Sequence, residues 1–105
     1  MVTVGSIKGG TKHNIIPDEV RLQLTVRTFK EETRLFVHKR IREISGGIAI
    51  AAGLPEDKMP EVIIPKAFTP SNYNDPGLVS RFQASAKKAL GPENVVYTGP
   101  KMVGA

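Results

Sequence analysis

A strict alternation of side chains over residues 20–27 constrains the fold of this chain more than any other feature. The alternating residues are Val20, Leu22, Leu24 and Val26 on the apolar side and Arg21, Gln23, Thr25 and Arg27 on the polar side. Because successive side chains of a strand point to opposite faces, this pattern predicts a half-buried β-strand. A shorter β-like run precedes it at Val2, Val4 and Ile7. The polar segment between the runs contains Gly9, Gly10 and Pro17, so the two runs predict a hairpin with a long, irregular tip.

An amphipathic helix is predicted directly after the hairpin. Thr28 and Glu31 have the spacing of a capping box, in which two side chains satisfy backbone N–H groups that a helix leaves unpaired. The apolar stripe of this helix is formed by Val37, Ile41, Ile44, Ile48 and Ala51. These steps of three and four residues match one helix face, and Gly53 and Pro55 supply the stop signals.

A third strand and a second helix are predicted in the remainder of the chain. The apolar run of the strand consists of Val62, Ile63 and Ile64. Pro60 and Pro65 bracket this run and place it at a sheet edge, since proline cannot donate to a ladder. Asp75 and Pro76 match the N-cap and the first residue of the second helix. The stripe of that helix consists of Leu78, Phe82, Ala86 and Ala89, and Gly91 ends it.

The order of these elements predicts an α+β fold. With a short strand at 95–97 included, the order is strand, strand, helix, strand, loop, helix and short strand. It corresponds to a partial ferredoxin-like, or split βαβ, sandwich: strand, strand, helix and strand plus a C-terminal helix. The leading strand and helix of such a sandwich are missing. We therefore expect a fragment of a larger fold.

Length and composition limit the class of protein. A chain of 105 residues with 40% hydrophobic content forms one domain or a piece of one. Residues 1–10 contain no apolar run of the kind found in a signal peptide, and no stretch approaches the roughly 20 apolar residues of a membrane span. The chain has no cysteine, which suits a reducing compartment. We expect a cytoplasmic protein with no membrane partner.

A resemblance to a known enzyme family is carried mainly by residues 10–29. The matching residues are Val4-Gly5-Ser6-Ile7-Lys8-Gly9-Gly10-Thr11-Lys12-His13-Asn14-Ile15-Ile16-Pro17-Asp18, Leu22 and Thr25-Val26-Arg27-Thr28-Phe29, followed by weaker matches at Asn74-Asp75-Pro76, Leu90-Gly91-Pro92-Glu93-Asn94-Val95-Val96 and Met102-Val103-Gly104-Ala105. The string resembles bacterial hippurate hydrolases and N-acyl-amino-acid amidohydrolases. They belong to the co-catalytic metal-dependent family that includes aminoacylases and glutamate carboxypeptidases.

The resemblance implies the division of the chain and its activity. In that family, a catalytic domain holds two divalent metal ions (zinc, manganese or nickel), and an inserted satellite domain of four strands and two helices mediates dimerisation. Residues 1–67 would then be a partial satellite domain, and residues 68–105 a partial return segment of the catalytic domain. The implied full-length enzyme is a homodimer that hydrolyses the amide bond of N-acyl amino acids or peptides.

The resemblance also implies three substrate-binding residues. Relatives use the residues matching Asn14 and Arg27 to hold the substrate carboxylate or the polarised carbonyl, and His13 is a weaker candidate beside them. The assignment agrees with chemistry, because a guanidinium can hold a carboxylate through two charge-assisted bonds and an amide adds a directed donor. Strand alternation places Arg27 on the face opposite the apolar side chains. His38, beside the helix stripe, is predicted to be a surface or boundary residue.

No metal ligand or catalytic residue is predicted in this chain. Its two histidines come without cysteine and without a convincing carboxylate cluster, and they cannot assemble the two-metal site that the family's chemistry requires. The chain is therefore expected to be inactive alone, with no cofactor of its own. Recognition of substrate and dimerisation would be its contribution to the complete enzyme.

A small nucleic-acid-binding α+β module is a different class of function, favoured by the formal charge of +5. The strand at 20–27 carries no aromatic side chain, whereas sheet-based RNA readers stack bases on exposed aromatics. The loop around Gly9 and Gly10 also lacks the glycine spacing of a P-loop. We therefore expect no nucleic-acid partner, and steep salt-dependent binding to a single strand would revive this alternative.

A purely structural assembly module is a third interpretation. Without its neighbours, the predicted sheet has an open edge and the helix stripe has no partner. Association through such a surface, without any ligand, would fit this interpretation.

Overall fold

The computed structural model describes residues 1–101 and contains two compact units, Met1–Pro70 and Ser71–Ala105. The first contains strands β1 (Val2–Gly9) and β2 (Val20–Val26), helix α1 (Glu31–Ala51) and a 3-10 turn at Glu56–Lys58. The second contains helix α2 (Pro76–Leu90) and a 3-10 turn at Pro92–Asn94. No helix in this part of the chain is long and apolar enough to cross a membrane. The predicted α+β class is confirmed, while the weak match at 102–105 lies outside the described residues.

The hairpin contains a β-bulge that the spacing of its apolar residues explains. Three apolar pairs face each other across the antiparallel ladder: Val2 with Val26, Val4 with Leu24, and Ile7 with Leu22. The step from Val4 to Ile7 is odd, so a regular strand would turn Ile7 to the opposite face. The register shifts between Val4 and Ser6, where Gly5 is the extra residue. The bulge therefore keeps all the apolar side chains of the hairpin on one face.

Helix α1 begins at Glu31, but the predicted capping box is wrong. The N-cap is Lys30, whose side chain makes no capping bond, and Thr28 lies two residues further upstream. The Glu31 carboxylate accepts a hydrogen bond from Arg34 Nε at 2.7 Å, so it pairs with the helix side chain one turn ahead. Helix α1 then ends at Ala51, before Gly53, as its stop signals predict.

The predicted third strand at 62–64 is absent from the described structure. The segment still has the side-chain alternation of a strand, because Val62 and Ile64 are half-buried while Ile63 is 78% exposed. In a split βαβ sandwich, the strand following the helix pairs with the leading strand, which this chain lacks. Without a neighbour to complete its backbone hydrogen bonds, the segment does not form a ladder.

This segment instead lies along α1. The Arg34 guanidinium carbon is 3.9 Å from the centre of the Phe68 ring, and Met59 Cε is 3.8 Å from where a Cβ on Gly46 would stand. Residues 59–68 therefore follow the helix in the antiparallel direction. This contact covers one side of α1 in place of a sheet.

Helix α2 matches its prediction at both ends. The Asp75 carboxylate accepts a hydrogen bond from the Leu78 N–H at 2.8 Å, and Pro76 is the first helical residue. Gly91 ends the helix with φ of 87°, a conformation that other residues adopt only with strain. The predicted short strand at 95–97 is wrong, because these residues have no strand partner within residues 1–101.

Replacing Asp75 with alanine is expected to destabilise α2 by about 1 kcal/mol, since the Leu78 N–H loses its acceptor. Amide hydrogen exchange in the first turn of α2 measures the change. Ser80, exposed in the middle of the same helix, supplies the matched control, and Ser80→Ala should leave exchange nearly unchanged. Equal effects of the two substitutions would contradict the capping role.

Few side chains are buried in the described part of the chain. Ala49, 3% exposed, is the one buried apolar side chain among residues 1–101. Most of the other large apolar residues of the hairpin and α1 are exposed to solvent, among them Val4, Leu22, Leu24, Ile44 and Ile48. The hairpin and α1 therefore each have an exposed apolar surface that could pack against another segment or chain.

Candidate functional site

The loop that joins β1 to β2 displays two of the three predicted site residues. His13 and Asn14 lie in an exposed turn, in which the Ile15 N–H donates to the Lys12 carbonyl at 3.3 Å. Gly10 enters the loop with φ of 81°, so a glycine is required there. The Asn14 side chain makes no hydrogen bond within residues 1–101, so the loop does not consume its amide. That amide is available to a ligand.

Arg27 follows directly after β2 and extends the ladder by one residue pair. Its N–H donates to the Met1 carbonyl at 2.9 Å, and the Met1 amino group donates to the Arg27 carbonyl at 2.8 Å. The Arg27 side chain is half-buried, and the described residues offer its guanidinium no ion pair. A fixed backbone and an unneutralised guanidinium are what anion binding requires.

The structure does not bring Asn14 and Arg27 together within one chain. Asn14 lies in the loop at one end of the hairpin, and Arg27 lies at the opposite end of β2. A strand of seven residues spans roughly 20 Å. That span exceeds what an arginine and an asparagine side chain can bridge to a shared carboxylate.

The part of the chain that the structure describes contains no cluster of metal-ligating side chains. Within residues 1–101, no three His, Asp or Glu side chains come close enough to hold an ion. His13 lies in the hairpin loop and His38 on α1.

A second feature, which the sequence analysis missed, is a groove of about 360 Å³ between α1 and residues 64–68. We call it the basic groove. Its lining residues are Arg34, Leu35, His38, Lys39, Arg42, Ile64, Pro65, Lys66 and Phe68. Arg34, His38 and Arg42 recur every four residues of α1 and so share one helix side. The spacing of these three basic residues could have indicated a basic helix face from sequence alone. The sequence analysis instead used only the apolar stripe beside them.

The positive charge of the basic groove affects the pKa of His38. Burial lowers the pKa of His38, and the neighbouring charges of Arg34 and Arg42 lower it further, while Glu31 opposes them. Arg34 in turn holds the pKa of the Glu31 carboxyl below its ordinary value through their hydrogen bond. The groove therefore has a positive potential that disfavours a further cation on His38.

Comparison with known proteins places the hairpin and α1 in a family. Residues 1–51 match the model of the peptidase dimerisation domain. The chain is 48% identical to the N-acetyldiaminopimelate deacetylase of Bacillus velezensis over 50 residues, which are 48% of this chain and 13% of that protein. It is 37% identical to the enzyme of the same name from Streptococcus thermophilus over 59 residues, 56% of this chain and 16% of the relative.

A longer match extends past α1. An uncharacterized hydrolase of Sinorhizobium fredii is 33% identical over 93 residues, which are 89% of this chain and 22% of that protein. The chain thus spans less than a quarter of the length of these relatives. No solved structure gives a significant match. Residues 1–51 therefore belong to the peptidase dimerisation domain family, in agreement with the amidohydrolase and exopeptidase family that the loop and strand resemble.

Proposed function

We propose that this chain is the dimerisation part of a hydrolase that removes the acyl group from N-acyl amino acids. The observation that carries the proposal is the match of β1, β2 and α1 to a peptidase dimerisation domain. The exposed apolar faces of the hairpin and α1 support the proposal, because exposed apolar patches commonly mark surfaces at which another protein chain binds. The deacetylase relatives indicate an acylated amino acid as the substrate.

The bond-breaking chemistry of the complete enzyme would lie outside these residues. Two divalent ions, zinc, manganese or nickel, would supply a Lewis acid in a catalytic domain to which residues 68–105 return. The chain itself would bind and orient the substrate. A cytoplasmic location stays a prediction from composition.

Substrate recognition by Arg27 and Asn14 is proposed to require two copies of the chain. Since the two side chains lie at opposite ends of the hairpin, one carboxylate is shared only if Asn14 comes from one protomer and Arg27 from its partner. Two-fold symmetry would then build two equivalent sites. His13, next to Asn14 in the exposed turn, would contact the same substrate.

Hydrolysis by the full-length enzyme tests the activity. Supplied with zinc, manganese or nickel, it should release the acyl group from N-acetyldiaminopimelate or hippurate, measured as free amine. The isolated 105-residue chain serves as the control and should release none. A full-length enzyme that hydrolyses no N-acyl amino acid with any of the three metals would contradict the proposal.

Dimerisation is tested separately on the isolated chain. Light scattering coupled to size-exclusion chromatography should give twice the chain's mass of 11.4 kDa at high concentration. The dimer should dissociate on dilution, because only part of the dimerisation domain is present. A strictly monomeric species at millimolar concentration would count against self-association through these surfaces.

A further inference from the structure

The basic groove has more positive charge than its surroundings neutralise. Its lining contains four Arg and Lys side chains and no carboxylate. Glu31 pairs with Arg34, and Glu43 lies 3.6 Å from Lys39, so two of the four cations have a partner. Arg42 and Lys66 have none within residues 1–101. Two cations on different chain segments are thus left to face the same open space.

The other side chains that line the basic groove are apolar. Leu35 from α1 and Ile64, Pro65 and Phe68 from the covering segment complete the lining. Phe68 also stacks under the Arg34 guanidinium at 3.9 Å, which fixes both side chains. A ligand that enters the groove therefore meets both positive charge and hydrocarbon. Its volume is within the range of small-molecule sites.

We propose that the basic groove binds an amphipathic organic anion, with the anionic group held by Arg42 and Lys66 and the apolar part against Leu35, Ile64 and Phe68. None of the residues of this site belongs to the hairpin that carries Asn14 and Arg27, although five of them lie on α1, within the matched dimerisation domain. The matching chemistry is a phosphate or carboxylate on an alkyl chain or ring, because the anionic group can pair with the cations while the hydrocarbon contacts the apolar side chains. His38 also lines the groove, so the pKa of its imidazole should respond to the charge of a bound ligand.

Nuclear magnetic resonance of the His38 ring protons tests this site, with octyl phosphate below its micelle concentration and inorganic phosphate as probes. Octyl phosphate should bind saturably, at least tenfold more tightly than inorganic phosphate, and should raise the pKa of His38 by neutralising the charge around it. The double variant Arg42→Gln and Lys66→Gln should weaken binding by at least tenfold. Helix content from circular dichroism checks that the variant stays folded.

The matched control removes the same charge elsewhere in the same unit. Lys8 and Arg21 face each other across the hairpin and do not line the groove, so Lys8→Gln with Arg21→Gln should change the affinity by less than twofold. Equal losses in the two double variants would overturn the proposal in favour of non-specific charge attraction. Equal affinity for the two phosphates would likewise overturn it, as would tighter, steeply salt-dependent binding of a thymidine oligonucleotide.

Discussion

Replacing Arg27 with alanine in the full-length enzyme is expected to lower kcat/KM for N-acyl amino acids by about 10- to 150-fold. A hydrogen-bonded contact with a charged group contributes about 1.5 to 3 kcal/mol, which converts to that range. The change should fall mainly on KM, because a carboxylate whose charge does not change in the reaction is held equally in the ground state and the transition state. Steady-state kinetics across a series of acyl amino acids measures both constants.

Arg21 is the matched control for this substitution. It lies on the same face of β2 as Arg27, but it is exposed and pairs with Glu19 at 3.1 Å. Arg21→Ala should therefore change kcat/KM by less than twofold. Arg27→Lys should recover only part of the loss, since an ammonium cannot form two parallel bonds. An Arg27→Ala enzyme with unchanged KM and kcat would remove Arg27 from the substrate site.

Mixing two impaired variants, assayed at substrate concentrations well below KM, decides whether the site is shared between protomers. Homodimers of Asn14→Ala and of Arg27→Ala each have a defect in both sites. If one site takes Asn14 from one protomer and Arg27 from its partner, a mixed dimer has one intact site and one doubly defective site. Mixed dimers should then recover up to half of the native activity. No recovery after verified subunit exchange would mean that both residues act from the same chain.

Local signals predicted the structure best. Helix α2 is specified by residues that contact each other within one turn, namely Asp75 with Leu78 at its start and Gly91 at its end, so sequence alone predicts both bounds. The hairpin follows equally from alternation in β2. The bulge at Gly5 was not predicted, because only the register of the partner strand shows which residue is the extra one.

Elements that depend on distant partners were predicted less well. The apolar run at 62–64 has the composition of a strand, yet a strand exists only where another backbone pairs with it. The basic groove was missed for a related reason. Nothing in the order of residues shows that Ile64 and Phe68 pack beside Arg34 and Arg42. Among the site residues, Asn14 and Arg27 came from the resemblance, and their role stays a prediction.

Which face of α1 is covered also depends on distant parts of the chain. Its apolar stripe includes Ile44 and Ile48, which are 51% and 66% exposed, whereas His38 and Ala49 lie on the covered side. An amphipathic helix normally packs its apolar stripe on a core. Within the described residues this stripe is only partly covered, since Val37 and Ile41 are half-buried, and residues 59–68 lie along a neighbouring side of the helix.

Joining the chain to the leading strand and helix of the split βαβ sandwich is therefore expected to change both stability and structure. The new strand would pair with residues 61–65 and close the sheet, and the apolar stripe of α1 could pack on it. Completing the burial of each half-exposed leucine or isoleucine contributes about 1 kcal/mol. Unfolding in urea should become cooperative, with an m-value of the size expected for a small domain.

Amide hydrogen exchange at 62–64 reports on the strand directly. In the longer chain, exchange should slow by about a thousandfold, because these amides enter a ladder whose opening requires several kcal/mol. Val62 and Ile63 provide a matched pair, since Val62 is half-buried and Ile63 is exposed. Val62→Asp should abolish the protection, while Ile63→Asp, on the opposite face, should largely retain it. Exchange in the longer chain at the rate of an unstructured peptide would show that these residues are not the missing strand's partner, and would remove the split βαβ sandwich as the parent fold.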